Sequence, residues 1–278
     1  MTQSIAATVL IPTHDHAPLL PYAIRSALAQ TQRDFELFVV GDGANSDTRE
    51  TVESFARSDS RVRYFDFPKG ERHGELNRHI ALQEAQGRIV AYLCDDDLWL
   101  EDHLATLAGA LETCDFAHTL HTFVMPGGQV EVIAADIADP AFREIMTADK
   151  QNYFGPTVVG HTLAAYRALP IAWSPAPPDI WTDLHMWRKF FAHPGLRFAT
   201  IPVIDSVHFP TAHRRYHTPG QRLAELDRFV SRLMEFDGRT CYIAQAIAAL
   251  NRASTVREKK AIEARLAELS RPAPVKTE

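Results

Sequence analysis

The sequence predicts an α/β fold in which helices flank a mixed, mainly parallel sheet, with a helical extension at the C-terminus. In the first half, short apolar runs alternate with amphipathic stretches of about a dozen residues, which is the pattern of βαβ units with right-handed crossovers. The run at residues 89–94 is almost wholly apolar, as expected of a strand buried on both faces of a parallel sheet. This run ends abruptly at Asp95, Asp96 and Asp97, and ligands of open α/β sheets bind just beyond the carboxyl ends of strands.

The first half contains four predicted strands, each followed by a predicted helix. The strands are residues 7–12, 35–40, 62–67 and 89–94. The helices are residues 18–30, a segment capped by Ser46 or Asp47, residues 73–86 and residues 101–111. In the first helix Leu20, Ile24 and Leu28 fall on one stripe, as in an amphipathic helix.

The pattern changes after residue 115. Residues 116–125 and 130–135 flank Pro126-Gly127-Gly128, which is typical of a β-hairpin. Further along we predict a strand that enters a short helix, then a helix and a last strand, at residues 158–169, 181–191 and 198–207.

The chain from Gln221 onward is predicted to be helical, as an extension (residues 221–278) of a main domain that spans residues 1–220. Its apolar residues form two stripes at helical spacing. The first stripe is Leu223, Leu226, Phe229, Val230 and Leu233, and the second is Ile262, Leu266 and Leu269. We expect this segment to pack against the main domain or against a second copy of the chain, so a homodimer is left open.

Composition and charge exclude several classes of protein. The apolar fraction of 46% and charged fraction of 23% are ordinary for a soluble globular protein, and the net charge of −6 disfavours a nucleic-acid partner. No stretch approaches the ~20 apolar residues that span a bilayer, and no Lys or Arg precedes Arg25, so neither a membrane span nor a signal peptide is expected. The three cysteines include no CxxC pair, which excludes a zinc knuckle and suits a reducing compartment. We therefore predict a cytoplasmic protein, with peripheral membrane contact left open.

The three consecutive carboxylates indicate the chemistry of the predicted site. Adjacent anions repel one another unless a positive charge lies among them. A divalent cation that is held by few carboxylates usually shares its coordination with substrate phosphates. Asp95, Asp96 and Asp97 therefore predict an enzyme that handles a phosphorylated or nucleotide-linked substrate. The alternative is an acidic helix N-cap, because Asp before a helix is common.

Polar residues also follow two other predicted strands. Pro12, Thr13 and Asp15 follow the first strand, and Asp42 follows the second. Because the carboxyl ends of parallel strands meet at one edge of a sheet, we expect these residues to share one site with the acidic triplet. The carboxylate of Asp42 is suited to accept a hydrogen bond from a base N–H or a ribose hydroxyl; its alternative role is that of a turn residue before Gly43.

An ordered series of motifs runs through roughly the first 110 residues. Its members are Val-Leu-Ile-Pro-Thr-His-Asp at residues 9–15, residues 26–31, residues 35–43 with their Gly-Asp-Gly turn, Gly74, Asn77 and Leu82, and the acidic residues 95–97. In this order they resemble glycosyltransferase family 2. Its opening strand usually ends Pro-Thr-Tyr-Asn, its second strand ends in an Asp-Asp-Gly turn, a later helix bears an Asn, and residues 95–97 match its Asp-x-Asp motif.

The resemblance implies a GT-A fold, in which a nucleotide-binding half (residues 1–114) continues into an acceptor-binding half (residues 115–220). Members of the family move a sugar from a nucleotide diphosphate to an acceptor, usually with Mn²⁺ or Mg²⁺. The residues that would contact the nucleotide are Pro12, Thr13, Asp15, Asp42, Arg72, Asn77, Asp95 and Asp96. The residues that would hold the cation are Asp95, Asp96, Asp97 and His217.

The family's catalytic base is a carboxylate after the acceptor loop, and residues 179–187 resemble that region. Asp183 is the predicted base, with Asp179 as the fallback; the alternative is that Asp183 caps the following helix. Trp181 offers an aromatic face to a sugar, and His161 lies in the expected acceptor half.

Two basic clusters are candidates for contact with the diphosphate. The first follows the last predicted strand and contains His208, His213, Arg214, Arg215 and His217. Imidazole and guanidinium groups suit diphosphate charge, although a solvated basic turn is an equal alternative. The second cluster, Lys69, Arg72 and His73, follows the third strand.

Two departures from the family pattern lie at the end of the site that reads the base. Gly41 replaces the first Asp of the usual turn, and His14-Asp15 replaces Tyr-Asn, so the nucleotide base stays open. The function expected is a metal-dependent, inverting glycosyltransferase in which Asp183 deprotonates an acceptor hydroxyl. The alternatives are a nucleotidyltransferase, an aspartate-dependent phosphotransferase and a non-catalytic module that binds nucleotide sugars.

Overall fold

The computed structural model describes residues 5–269, and it describes the side chains of residues 5–254. The strands in this part of the chain are β1 (Ala7–Thr13), β2 (Phe35–Asp42), β3 (Val62–Phe67), β4 (Ile89–Tyr92), β5 (Leu98–Trp99), β6 (Phe116–Thr119), β7 (His121–Val124), β8 (Val130–Ile133), β9 (Val159–Thr162), β10 (Phe198–Ile201) and β11 (Ser206–Val207). The helices are α1 (Leu20–Leu28), α2 (Ser46–Ser58), α3 (Glu75–Leu82), α4 (His103–Ala110), α5 (Pro140–Ala148), α6 (Leu163–Ala168), α7 (Thr182–Ala192), α8 (Pro219–Leu233) and α9 (Gly238–Leu269).

The main sheet has the strand order β10-β6-β9-β4-β1-β2-β3. Strand β1 pairs in parallel with β2 and β4, and β2 pairs in parallel with β3. Strand β9 is antiparallel to both of its neighbours, β4 and β6. The sheet is therefore mixed and mainly parallel, as predicted, and the carboxyl ends of β1, β2, β3 and β4 meet at one edge.

Both faces of the sheet are buried because successive side chains of each strand point to opposite sides. Leu10, Phe38 and Tyr92 pack on one face with α3, α6 and α7, in a core that includes Trp173 and Trp187. Ile11 and Val39 pack on the other face with α1, α2 and α4. This arrangement explains why the strands read as continuous apolar runs rather than as alternating ones.

The predictions for the first half are confirmed, with shifts at the ends of elements. Helix α2 is capped by Asn45, whose side chain accepts a hydrogen bond from Thr48 N at 2.9 Å, rather than by Ser46 or Asp47. Helix α3 is shorter than the predicted range of residues 73–86; it begins only at Glu75, because Gly74 before it has a left-handed conformation, and it ends at Leu82.

Two predicted strands are each divided in the structure. The first, residues 116–125, contributes β6 to the main sheet and β7 to an antiparallel hairpin with β8, with the break at Leu120. The second, residues 198–207, forms β10 in the main sheet and β11, which pairs with β5. The break in the second contains Pro202, which lacks the N–H that a ladder needs.

The C-terminal helices pack against the main domain. Leu226 of α8 and Tyr242 of α9 are buried in an apolar cluster with residues of β7, β8 and β11, and the rest of the first predicted stripe is partly buried there. The predicted stripe of Ile262, Leu266 and Leu269 lies outside the described side chains. The packing also brings the first turn of α8 close to the acidic triplet. The division of the chain into a main domain and an extension after residue 220 stays a prediction.

Candidate active site

A cavity of about 460 Å³ lies at the edge of the sheet where the parallel strands end, and we call it the strand-end cavity. Its wall contains Pro12, Thr13, Asp15, Asp42, Arg72, Asp95 and Asp96 of the predicted nucleotide site. Lys69 and His73 of the second basic cluster also line it, as do His14, His16, Arg78 and Thr211. Asn77 is absent from the wall, but its side chain donates a hydrogen bond to Asp42 Oδ1 at 2.8 Å.

Asp42 organises the loop that forms one side of this cavity. Its Oδ1 accepts hydrogen bonds from Gly70 N at 2.6 Å and from Asn77, and its Oδ2 accepts one from Lys69 Nζ at 2.6 Å. A carboxylate has about four acceptor positions, so one further bond from a ligand can be accommodated. A Cβ at the preceding residue, Gly41, would lie 2.6 Å from the hydroxyl of Tyr64, so an Asp at this position would require the Tyr64 side chain to move.

Gly74 is required by the same arrangement. Its φ is +71°, and a Cβ at this position would lie 2.4 Å from Cγ of Asp42. Left-handed backbone costs an L-residue about 1–2 kcal/mol, and the contact with Asp42 adds to that cost. The left-handed turn therefore holds the loop close against the carboxylate.

We expect Gly74→Ala to lower the free energy of unfolding by at least about 1–2 kcal/mol and to weaken nucleotide binding, because the loop must move away from Asp42. Urea unfolding measures the first effect and calorimetry with a nucleoside diphosphate the second. Gly109→Ala is the matched control: Gly109 lies in α4 with open space at its Cβ position, so alanine there is expected to be neutral or stabilising. Equal stability of the two variants would contradict this reading of the loop.

Each carboxylate of the acidic triplet has a partner that can carry positive charge. His16 Nδ1 lies 2.8 Å from Asp95 Oδ1, and His208 Nδ1 lies 2.7 Å from Asp97 Oδ2. Asp96 Oδ2 accepts hydrogen bonds from Arg222 and from Thr211 Oγ1, the latter at 3.1 Å. The repulsion within the triplet is therefore offset by side chains of the protein itself.

The three carboxyl groups differ in their proton affinity. Burial, together with the negative charges of Asp97 and Asp95, raises the pKa of Asp96 to about 6. Burial also disfavours the charge of Asp97. The positive charge and the hydrogen bond of His208 outweigh this effect and hold the pKa of Asp97 below its ordinary value. The hydrogen bond with Asp95 raises the pKa of His16.

The three carboxylates of the triplet do not all face one site. Asp97 is fully buried, and its oxygens accept hydrogen bonds from Thr157, from His208 and from Phe209 N, the last at 3.0 Å. The group whose ligand atoms all lie within 4.8 Å of one another is instead His16, Asp95 and Asp96. Carboxylate oxygens with one imidazole fit Mn²⁺ better than Mg²⁺, which prefers oxygen alone. These residues fit a divalent cation, and the predicted contribution of Asp97 is not supported by its position.

Arg72, in the basic cluster that lines the strand-end cavity, has an unusual backbone conformation. Its φ is +55°, which is unusual for a residue with a side chain, and such strained positions cluster at functional sites. Its Nη2 donates to Pro177 O at 3.3 Å, whereas its buried Nε has no partner among the described residues. Arg72 and His73 line both this cavity and a second one.

The second cavity, which we call the α7 cavity, has a volume of about 550 Å³ and contains Asp183, the predicted base. Asp183 accepts hydrogen bonds from Asn152 Nδ2 at 2.8 Å and from Leu184 N at 2.9 Å. Asp183 lies in the first turn of α7, whereas the N-cap residue is Trp181. Burial raises the pKa of Asp183. A half-buried carboxylate with a raised pKa, in a cavity wall, is suited to accept a proton.

The α7 cavity also offers groups that suit a sugar. Trp181 is 50% exposed in its wall, and Lys150 Nζ lies 5.1 Å from the centre of the Trp181 ring. His121 and His208 line the same cavity, with ring centres 4.9 Å apart. Asp179, the fallback base, is exposed and does not line it.

Several predicted site residues lie elsewhere. His161 is buried in β9, where Nε2 lies 2.7 Å from the Tyr92 hydroxyl, and burial lowers the pKa of His161 to about 4. Arg214 is buried and forms an ion pair with Glu225, and His217 Nδ1 lies 4.0 Å from Glu225. His213 and Arg215 are exposed. None of these residues lines the two cavities. His161 lies within the sheet, and the ion pair between Arg214 and Glu225 ties residues 213–217 to α8.

Sequence reasoning missed three residues whose side chains contact Asp95 or Asp96, namely His16, Thr211 and Arg222. His16 lies just beyond β1, and its position after Asp15 is the local signal that was available. Thr211 and Arg222 lie beyond the part of the chain that resembles the family, and no local pattern marks them.

The fold and the site define a class of protein. The crystal structure of residues 1–349 of TarS from S. aureus aligns with this chain at a TM-score of 0.60, with 17% identity, over 73% of this chain and 60% of that one. The mannosyltransferase PcManGT from Pyrobaculum calidifontis, solved with GDP-Man and Mn²⁺, aligns at a TM-score of 0.52, with 19% identity, over 96% of this chain and 81% of that one. These likenesses show that the protein has a GT-A fold.

Within this class the sequence identifies the family. The family model described as glycosyl transferase family 2 matches residues 8–168, and the chain belongs to that family. A relative from Campylobacter jejuni, the GalNAc(5)-diNAcBac-PP-undecaprenol beta-1,3-glucosyltransferase, is 33% identical over 217 residues, which are 75% of this chain and 69% of the relative. Among the described residues, no helix combines the length and apolar character needed to cross a membrane.

Proposed function

We propose that this protein transfers a sugar from a nucleotide diphosphate to a hydroxyl of a lipid-linked saccharide, with inversion at the anomeric carbon. The proposal rests on two cavities that share a wall at Arg72 and His73. One contains the carboxylates and basic groups that suit a nucleotide diphosphate. The other contains a carboxylate of raised pKa beside an aromatic face, which suits an acceptor.

The donor is proposed to lie in the strand-end cavity. Asp42, Pro12 and Thr13 would face the nucleoside, and Lys69, Arg72 and His73 would surround the diphosphate. His16, Asp95 and Asp96 would hold a divalent cation, which supplies charge that offsets the negative charge growing on the departing diphosphate. The complex of PcManGT with GDP-Man and Mn²⁺ supports the nucleotide sugar and the cation.

The acceptor is proposed to lie in the α7 cavity, with a sugar ring against Trp181. Asp183 would take the proton of the attacking hydroxyl while Asn152 and Leu184 N hold its carboxylate in place. Attack from the side opposite the diphosphate in one step inverts the configuration. The lipid-linked class is supported by the name of the Campylobacter relative, and such an acceptor would bring the protein to a membrane surface.

A thermal-shift screen of nucleoside diphosphates, with and without Mn²⁺, tests the donor half of the proposal. A ligand at 100 times its dissociation constant stabilises the folded state by about 2.7 kcal/mol, so a specific nucleotide is expected to raise Tm clearly and only with the cation present. The nucleoside with the same base as the nucleotide that binds, which lacks phosphates, is the control for the role of the diphosphate. If no nucleoside diphosphate shifts Tm in the presence of Mn²⁺, the donor assignment is wrong.

A further inference from the structure

Arg222 connects the C-terminal helices to the proposed cation site. It lies in the first turn of α8, beyond residues 8–168 that match the family. Its guanidinium donates to Asp96 Oδ2 through Nη2, and its Nη1 lies 3.0 Å from His16 Nε2. The side chain is only 11% exposed, so it is a buried contact rather than a surface ion pair.

These contacts settle the roles of the His16 nitrogens. A guanidinium has donors only, so Nε2 of His16 must accept from Arg222, and Nδ1 must carry the proton that it donates to Asp95. Both nitrogens of His16 are therefore occupied. Asp96 Oδ2 is occupied as well, because it accepts from Arg222 and from Thr211.

We propose that Arg222 is the resident counter-ion of Asp96 and a hydrogen-bond donor to His16, and that a divalent cation must displace it before it binds both residues. Arg222 neutralises the same charge that would attract the cation, and the two cations repel each other. The protein without donor therefore binds the cation weakly. A nucleotide diphosphate adds negative charge and shifts the balance toward the divalent cation, a step that rests on the proposed function.

Displacement of Arg222 has a consequence for α8. A capping box between Thr218 and Gln221 and the contacts of Arg222 stabilise the first turn of this helix. The buried side chain of Leu226 anchors the next turn. Loss of the Arg222 contact would loosen the first turn and leave the Leu226 contact intact. Cation binding and local order at the start of α8 are therefore coupled, and such a coupling is reciprocal.

The experiment measures Mn²⁺ binding to the donor-free protein by the electron paramagnetic resonance signal of free Mn²⁺. Arg222→Gln is expected to bind Mn²⁺ about tenfold more tightly than the unaltered protein, within the usual range of coupling between two ligands. Arg222→Lys keeps the charge and should stay close to the unaltered protein. Arg228→Gln is the matched control, because Arg228 is an exposed arginine on the same helix.

Hydrogen exchange provides a second readout that does not depend on catalysis. Saturating Mn²⁺ is expected to speed exchange of amides in the first turn of α8 in the unaltered protein. Arg222→Gln should show the fast exchange before Mn²⁺ is added. Exchange of the core strands should be equal in both proteins, which establishes that the variant is folded.

The outcomes separate this inference from the proposed function. Unchanged or weaker Mn²⁺ binding by Arg222→Gln, with Mn²⁺ bound by the unaltered protein, would overturn the role of Arg222 and leave the glycosyltransferase proposal intact. Absence of Mn²⁺ binding in both proteins would overturn the inference together with the cation site. A nucleotide that stabilises the protein without Mn²⁺ would then show that donor binding survives that loss.

Discussion

Asp183→Asn is expected to lower kcat by about 10²- to 10⁴-fold, which is the usual contribution of a general base. The amide cannot take the proton from the acceptor hydroxyl, but it has nearly the same shape as the carboxylate. The strand-end cavity does not include Asp183, so affinity for the donor should stay unchanged. Sugar transfer measured at saturating donor and acceptor gives kcat, and calorimetry gives donor affinity.

Asp179→Asn is the informative comparison for this prediction. Asp179 lies four residues earlier, but its side chain is exposed and outside the α7 cavity. We expect Asp179→Asn to keep nearly full turnover. If the large loss followed the change at Asp179 and spared the change at Asp183, the base would have been assigned to the wrong carboxylate.

The raised pKa of Asp183 predicts a pH dependence of turnover that tests the assignment of Asp183 as the base. A base acts in its ionised form, so turnover should fall as pH falls through a pKa above the usual range for Asp. The folded state disfavours the ionised form, and this penalty is present above the folded pKa and absent below the unfolded one. At neutral pH, Asp183→Asn should therefore be at least as stable as the unaltered protein in urea unfolding.

The parts of this structure that could be predicted are those that local sequence determines. The runs at β1, β2, β3 and β4 are apolar because both sheet faces are covered, so their ends could be located within a few residues. Once the strands are parallel, geometry alone brings Asp42 and Asp95 to one edge. The acidic part of the wall of the strand-end cavity was predictable for this reason.

The partners of those carboxylates were not predictable by the same reasoning. Arg222 and His16 are 206 positions apart in the chain, and only the packing of α8 against the main domain brings them together. Sequence also cannot say which of three consecutive acids faces a cavity. Here a tight turn, in which Asp97 N donates to Cys94 O, directs Asp97 into the protein and Asp95 and Asp96 toward the cavity.

His161 illustrates a different limit. Its residue type and its place in the acceptor half made it a candidate, but it lies on β9 in the middle of the sheet, between Phe116 on one side and Val90 on the other. Its two nitrogens are occupied by the Tyr92 hydroxyl and by Thr162 O. A histidine with both nitrogens paired in a core is structural, and only the strand pairing reveals this.

Asp96→Asn is expected to weaken Mn²⁺-dependent nucleotide binding by at least about 100-fold, because even indirect partners of a metal ligand are worth about 10- to 100-fold in affinity. The loss in stability should be smaller than for Asp97→Asn, since burial and two neighbouring anions already disfavour the charge of Asp96 and offset part of the ion pair with Arg222 that is lost. Calorimetry with a nucleoside diphosphate, with and without Mn²⁺, measures the first effect, and urea unfolding measures the second.

Asp97→Asn is expected to show the opposite balance. Asp97 is ionised and buried, and its loss leaves His208 without a charged partner; breaking such a buried pair costs about 3–5 kcal/mol. Its oxygens are directed at protein groups, so nucleotide affinity at a temperature where the variant is folded should change much less than in Asp96→Asn. Asp96 would then bind the cation, and Asp97 would stabilise the turn that directs Asp95 and Asp96 toward the cavity. Equal effects of the two changes on Mn²⁺-dependent binding would show instead that the triplet acts as one set of ligands.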